Sequence, residues 1–273
     1  MTLKINGIRY NVETYGNGFP LLLLHGFTGD SSTWKPFCRL WGKQSRLIIP
    51  DIIGHGKTES PAEMDCYQIE SVADDLKCIL EEMGVKQVDL LGYSMGGRLA
   101  LTFALLFPSM VRKLILESTS PGLATKNERE LRCMKDHELA DFIKEQGIER
   151  FVDYWENIPL FSSMERLPAT IKTTIRNQRL TNSQMGLVNS LLGMGTGSQP
   201  SWWEKLGELT CEVLLLTGEM DKKFCRIAEK MHKELKNGTW VIVKNSGHTI
   251  HVEENKKFGT IVSDFLLKGG RSI

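Results

Sequence analysis

Short apolar runs separated by amphipathic stretches are the main pattern along the chain. Runs of four or five residues are typical of strands buried on both faces of a parallel sheet, and they occur at 21–24, 47–51, 88–91, 113–116, 213–216 and 240–243. Apolar positions repeat at about 3.6-residue spacing in 67–83, 95–107 and 255–267, which predicts helices. Residues 3–13 alternate around Gly7 and predict two short strands. The alternation of strands and helices predicts an α/β fold with a mostly parallel, doubly wound sheet.

The middle of the chain departs from this alternation. Residues 120–208 contain no strand-like run. Prolines and a glycine-rich stretch divide them into predicted helices at 127–146, 148–156, 164–180 and 182–192. The sheet pattern resumes near Cys211. We therefore predict a core formed by 1–119 and 209–273, with 120–208 inserted as a helical cap.

The composition narrows the class of protein. With 34 basic and 33 acidic residues the net charge is +1, which gives no reason to expect nucleic acid or an anionic membrane as partner. The six cysteines lack the C-x-x-C spacing of metal or redox sites, so we expect reduced thiols and no metal. No apolar run approaches a membrane span, and the first residues lack the apolar core of a secretion signal. These features predict a cytoplasmic protein.

The segment Gly92-Tyr93-Ser94-Met95-Gly96 lies between a predicted strand and a predicted helix. A nucleophile at such a turn has a strained backbone, so its neighbours must be small. Gly92 and Gly96 meet that requirement. The pattern therefore predicts Ser94 as a catalytic nucleophile or base.

A serine of this kind needs a histidine and an acid. His248 follows the last predicted strand and is the expected base, with His251 as the alternative. Asp221 follows the strand at 213–216 and is the expected acid, because Glu219 lies too close to the strand end and Glu117 follows an earlier strand. The chain order serine, acid, histidine is that of α/β-hydrolases.

Stabilising a negative oxygen requires two backbone N–H groups. The residue after the nucleophile, Met95, supplies one of them. The loop at 25–29, which follows the first long apolar strand and begins His25-Gly26, supplies the other through Phe27. We expect His25 and His55, each in a glycine-flanked loop, to brace those loops.

Six segments extend the similarity beyond the fold, namely 24–29, 92–98, 117–123, 193–200, 218–224 and 247–251. On these segments the chain resembles the 2-succinyl-6-hydroxy-2,4-cyclohexadiene-1-carboxylate (SHCHC) synthases of menaquinone biosynthesis, which have the α/β-hydrolase fold. The resemblance implies elimination of pyruvate from 2-succinyl-5-enolpyruvyl-6-hydroxy-3-cyclohexene-1-carboxylate, with no water added. It implies neither a metal nor an organic cofactor.

The substrate of that family carries three carboxylates, for which arginine is the natural ligand. The resemblance assigns substrate binding to Arg98, Arg132 and Arg179, and the pocket wall to Tyr93, Trp155 and Phe161. Arg129, one helical turn before Arg132, is the alternative at that position. The pair Lys222-Lys223 is expected at the surface.

Two questions stay open at this stage. The proton on the ring carbon beside the succinyl ketone goes either to Ser94, activated by His248 and Asp221, or directly to His248. A hydrolase of the same fold and a non-catalytic ligand-binding protein are the alternative functions. Three arginines in one site argue against a hydrolase of neutral esters, and a complete Ser-His-Asp set argues against a binding protein. Nothing in the sequence indicates the oligomeric state.

Overall fold

The fold centres on one eight-stranded sheet. The computed structural model describes residues 1–268, so the last five residues of the predicted core, 269–273, lie outside the described part. The strands are β1 (Thr2–Ile5), β2 (Ile8–Tyr15), β3 (Phe19–Leu24), β4 (Ser45–Pro50), β5 (Val88–Tyr93), β6 (Val111–Glu117), β7 (Glu212–Gly218) and β8 (Gly238–Val243). Their order is β1-β2-β4-β3-β5-β6-β7-β8. β2 pairs antiparallel with β1 and with β4, and every other pair is parallel. The predicted sheet is confirmed.

Helices connect the strands and cover the sheet. They are α1 (Lys35–Trp41), α2 (Ile69–Glu82), α3 (Met95–Leu106), α4 (Lys126–Trp155), α5 (Ala169–Leu180), α6 (Gln184–Met194), α7 (Lys222–Glu234), α8 (Ile250–Glu253) and α9 (Asn255–Leu267). α2, α3 and α9 confirm the three core helices predicted from spacing, to within two residues at each end. None of the helices in residues 1–268 combines the length and apolarity of a membrane crossing.

Side chains of one strand point alternately to the two faces of the sheet. Leu22 and Leu24 of β3 therefore belong to the apolar cluster that includes buried residues of α2, α3 and α7. Leu21 and Leu23 belong to the opposite cluster, which includes residues of α1 and α9. Burial on both faces is why the strand sequences are continuously apolar.

Between β6 and β7 the chain is helical. Residues 118–211, all of them described, contain α4 to α6 and short 3₁₀ turns but no strand. Gly147, at φ 78° and ψ 176°, interrupts α4 between the predicted helices 127–146 and 148–156. The predicted helix 164–180 is wrong in its first turns, because Leu167 precedes a proline and is extended, so α5 begins only at Ala169. Seven buried residues of α4 and α6 form a separate apolar cluster, which supports our prediction that 120–208 is a cap.

Candidate active site

The parallel sheet brings the expected site loops together, because the carboxyl ends of parallel strands lie at one edge. The loop at 25–29 follows β3, Ser94 follows β5, Asp221 follows β7 and His248 lies beyond β8. These four segments are far apart in sequence. Their meeting at one edge is a direct consequence of strand order.

The turn at Ser94 has the strained backbone that the sequence predicts. Ser94 has φ 52° and ψ −106°, a conformation that costs roughly 1–3 kcal/mol. A Cβ atom on Gly92 would overlap the backbone of Gly96, and one on Gly96 would overlap the backbone carbonyls of Leu24 and His25. Both positions therefore require glycine, and the turn holds the serine above the strand ends.

Ser94, His248 and Asp221 form a continuous hydrogen-bonded chain. The Ser94 Oγ lies 3.0 Å from His248 Nε2, and His248 Nδ1 lies 2.7 Å from Asp221 Oδ2. The other carboxylate oxygen of Asp221 accepts the Phe224 backbone N–H at the start of α7, at 3.1 Å. With Nδ1–H donating to Asp221, Nε2 is left to accept the proton of the serine hydroxyl. The arrangement can remove a proton from Ser94 or, through Ser94, from a ligand.

The alternative residues occupy other positions. The carboxylate of Glu117 accepts the His251 backbone N–H at 3.0 Å and the His251 Nδ1–H at 2.9 Å. Both side chains are buried, so this pair ties the loop after β8 to the end of β6. Glu219 accepts the backbone N–H of Asn245 at 3.3 Å. The structure thus pairs His248 with Asp221 and gives the three alternatives structural contacts.

The two residues expected to supply backbone donors lie in the cavity of the serine. Phe27 and Met95 line the same cavity as Ser94, and within residues 1–268 neither backbone N–H has a hydrogen-bond acceptor. His25 fixes the loop that carries Phe27. Its Nε2 accepts the Ile52 N–H at 2.9 Å, which leaves Nδ1 to donate to the carbonyl of Gly26 at 2.8 Å. This supports the predicted bracing role of His25, whose pKa is lowered by burial.

A cavity of about 560 Å³ opens above Ser94 and His248. Five residues assigned by the family resemblance line it, together with the two backbone donors: Tyr93, Arg98, Arg132, Trp155 and Phe161. Arg129 does not line this cavity. Its Nη1 donates to the backbone carbonyls of Leu123 and Ala124, at 3.2 and 3.3 Å, so the geometry favours Arg132 at this position.

The two arginines of the cavity that the family resemblance assigns, Arg98 and Arg132, differ in their surroundings. Arg98 is buried and its Nη1 donates to the carbonyl of Met194 at 2.7 Å and to Oε1 of Gln199. Burial, reinforced by the positive charge of Arg132, lowers the pKa of Arg98 to about 9. Arg132 is half-buried, and its Nε donates to Asp136 at 2.8 Å. A buried guanidinium with a second guanidinium nearby is suited to an anionic ligand, whose charge would offset both causes of the lowered pKa of Arg98.

Arg179 lies in a different place. It lines an adjoining cavity of about 490 Å³, which shares Phe27, Tyr93 and Phe161 with the first. Its guanidinium carbon lies 5.1 Å from the centre of the Phe161 ring, and burial lowers its pKa. The structure does not bring Arg179 into the Ser94 cavity, so its contact with a ligand there stays a prediction.

The cavity also contains residues to which the sequence assigned no role. Ser118, at the end of β6, lines the cavity with φ 47°, and its hydroxyl is buried without a partner in residues 1–268. The indole N–H of Trp155 is likewise buried and unpaired within that part of the chain. Both residues line the cavity, and neither polar group has a protein partner within the described residues. The sequence signal that could have identified Ser118 is its position directly after β6, the strand that pairs with β5 before Ser94.

No group in the described residues suggests a bound metal. Three or more His, Cys, Asp or Glu side chains never come together in 1–268 in a way that could hold an ion. All six cysteines lie within this range as free thiols.

The sheet order, the strained serine turn and the Ser-His-Asp geometry define the class as an α/β-hydrolase-fold protein. The family model of the alpha/beta hydrolase fold matches residues 20–255. A Bacillus subtilis (strain 168) protein provisionally named 2-succinyl-6-hydroxy-2,4-cyclohexadiene-1-carboxylate synthase is 48% identical over 96% of both chains. The synthase of that name from Photorhabdus laumondii is 31% identical, over 96% of this chain and 88% of its own. The structure of MenH from S. aureus superposes with a TM-score of 0.91 at 36% identity, over 96% of this chain and 99% of that one. The chain belongs to the SHCHC synthase family, within the α/β-hydrolase fold.

Proposed function

We propose that the protein is an SHCHC synthase, a carbon–oxygen lyase that eliminates pyruvate from 2-succinyl-5-enolpyruvyl-6-hydroxy-3-cyclohexene-1-carboxylate. One observation carries the proposal. The hydrogen-bonded chain of Ser94, His248 and Asp221 ends in a cavity that also contains Arg98 and Arg132. A base beside two guanidinium groups suits a polycarboxylate that must lose a proton. Six free thiols support a reducing compartment, which we take to be the cytoplasm.

The first step is removal of the proton from the ring carbon beside the succinyl ketone. The half-buried Ser94 presents its hydroxyl to the cavity more openly than His248, which is 1% exposed. We therefore assign the proton transfer to Ser94 Oγ, with the hydroxyl proton of Ser94 passing to His248 Nε2. Asp221, paired with Nδ1, stabilises the imidazolium that results. The electron pair of the broken C–H bond moves into the enolate of the ketone.

The second step is loss of the enolpyruvyl group. The enolate electron pair re-forms the ketone and makes a double bond between ring carbons 2 and 3. The existing double bond between carbons 3 and 4 moves to carbons 4 and 5, and the C–O bond at carbon 5 breaks with its pair on the oxygen of enolpyruvate. The proton held by the serine and histidine returns to the leaving group, which tautomerises to pyruvate. The N–H groups of Phe27 and Met95 can hold the enolate oxygen, and preorganised donors of this kind contribute roughly 3–4 kcal/mol each to transition-state stabilisation.

Arg98 and Arg132 give this assignment its preference for an anionic substrate. A guanidinium grips a carboxylate through two parallel hydrogen bonds, each worth roughly 1.5–3 kcal/mol. Only Nη1 of Arg98 is engaged by protein acceptors in residues 1–268, so its remaining N–H groups are available. A hydrolase of neutral esters has no need for such arginines in the cavity of its nucleophile.

Incubation with enzymatically prepared substrate tests the proposal. Pyruvate release is followed with a lactate dehydrogenase coupled assay, and hydrolysis of 4-nitrophenyl acetate is measured in parallel. We expect fast pyruvate release and weak ester hydrolysis. An ester turned over as fast as the enolpyruvyl substrate would favour the hydrolase alternative.

A further inference from the structure

One face of α7 carries three basic side chains toward the Ser94 cavity. Lys223, Arg226 and Lys230 are three and four residues apart in the helix, so they lie on one side of it. All three are exposed and line the cavity, whereas Arg98 is buried at its inner end. We call Lys223, Arg226 and Lys230 the basic face of α7. It forms part of the outer wall of the cavity.

The charge of the cavity differs from that of the chain. Five cationic side chains line it, and Glu128 is the one acidic side chain that does so within the described residues. The Glu128 carboxylate is occupied at the start of α4, where Oε2 accepts the backbone N–H of Thr125 at 2.9 Å and its hydroxyl at 2.8 Å. The whole chain has a net charge of only +1. Positive charge is therefore concentrated around this cavity.

The basic face forms no ion pair with the described residues. Within residues 1–268 none of its three side chains forms an ion pair, whereas Lys233 of the same helix pairs with Glu229 at 3.0 Å. Like charges along one wall repel each other, and a cleft lined by one sign of charge raises the local concentration of counter-ions. The charges of the basic face are therefore available to an anion from solution.

We propose that the basic face of α7 is an outer binding subsite for carboxylates, which captures the polyanionic substrate and directs it toward Ser94. This rests on the proposed function. Arg98 is buried in the cavity and Arg132 is half-buried beside Lys223, so a substrate with three carboxylates can contact these arginines and the basic face together. The subsite therefore favours polycarboxylates over singly charged substrates.

A matched pair of variants tests the subsite. Lys223→Gln/Arg226→Gln/Lys230→Gln removes three positive charges from the cavity wall. Lys222→Gln/Lys233→Gln/Lys236→Gln removes three exposed charges from and beside the same helix that do not line the cavity. The kcat and KM for pyruvate release are measured for both variants and the wild type across a salt series.

At low ionic strength we expect the first variant to lose about tenfold in kcat/KM, mainly through KM, because steering by a charged cleft is worth roughly 10- to 1,000-fold in association rate. The difference should shrink near 1 M salt, where the Debye length is about 3 Å. The control variant should stay within about twofold of the wild type, because its three charges do not line the cavity and so do not contact a ligand within it.

Equal losses in the two variants would assign the effect to net charge and overturn the subsite. No loss in either variant, or a salt-independent loss confined to kcat, would also overturn it. A wild type that releases no pyruvate would refute the proposed function instead. In that case calorimetric titration with citrate decides the subsite separately. Weaker citrate binding by the first variant than by the control supports it, and equal binding overturns it.

Discussion

Replacing Arg98 with alanine removes a group that serves both the cavity and the protein around it. Arg98 is in the first turn of α3. Its Nη1 donates to the carbonyl of Met194 and to Oε1 of Gln199, both near the end of the predicted cap segment 120–208. Hydrogen bonds from a charged donor contribute roughly 1.5–3 kcal/mol each. Release of a buried charge offsets part of that loss. We therefore expect Arg98→Ala to lower the free energy of unfolding by about 2–3 kcal/mol.

The expected loss is measurable in two assays. At this chain length 1 kcal/mol corresponds to roughly 2–4 °C, so the Tm should fall by roughly 4–12 °C. The kcat/KM for pyruvate release should fall by at least about a hundredfold, since each 1.4 kcal/mol is a factor of ten. Arg98→Lys keeps the charge but not the planar fork, so we expect it to lose about tenfold to a hundredfold in kcat/KM.

Gln199→Ala is the matched control, because it removes one acceptor and leaves the guanidinium in place. It should lower stability by about 1 kcal/mol and keep most of the activity. An Arg98→Ala protein that melts with the wild type would refute the stabilising role of the two hydrogen bonds. If Gln199→Ala lost as much kcat/KM as Arg98→Ala, Arg98 would act by placing the cap segment and not by binding substrate.

Two further predictions concern the catalytic chain and acid stability. Ser94→Ala and His248→Ala should each abolish most pyruvate release, and the double variant should be little worse, since residues that act as a unit are non-additive; losses that multiply would contradict the shared role. Burial lowers the pKa of His55 to about 3, below the unfolded value of about 6.5. Below about pH 6.5 the unfolded state therefore binds more protons than the folded state. The free energy of unfolding falls by about 2 kcal/mol between neutral pH and pH 5. His55→Gln should reduce that acid loss in denaturant titrations at both pH values, and an unchanged loss would show that His55 does not titrate on unfolding.

Local patterns were enough to predict the sheet and the placement of Ser94, His248 and Asp221 within hydrogen-bonding distance. Strand ends are readable from apolar runs, and parallel strands place their carboxyl ends at one edge. That rule alone locates Ser94, Asp221 and His248 beside one another. The contact of Glu117 with His251 was not predictable. Glu117 and Asp221 both follow strands, and only the packing shows which histidine each carboxylate contacts.

The positions of side chains in the predicted cap, 120–208, could not be predicted from the sequence. Arg179 lines the second cavity, and its guanidinium carbon lies 5.1 Å from the ring of Phe161, which lines both cavities. Such a partition depends on how helices pack and leaves no signature in spacing. Lys223 shows the same difficulty, since it is exposed, as expected, but also lines the cavity. Exposure and a role in a site are compatible at the mouth of a cleft.

The central claim is that the serine and histidine remove a proton and expel pyruvate without adding water. Mass spectrometry of the ring product, with pyruvate quantified in the same reaction, tests this most directly. We predict pyruvate and the cyclohexadiene in equal amounts, with no water added to the ring product, and loss of both in Ser94→Ala. A ring product heavier by one water, or one formed at the wild-type rate by Ser94→Ala, would contradict it.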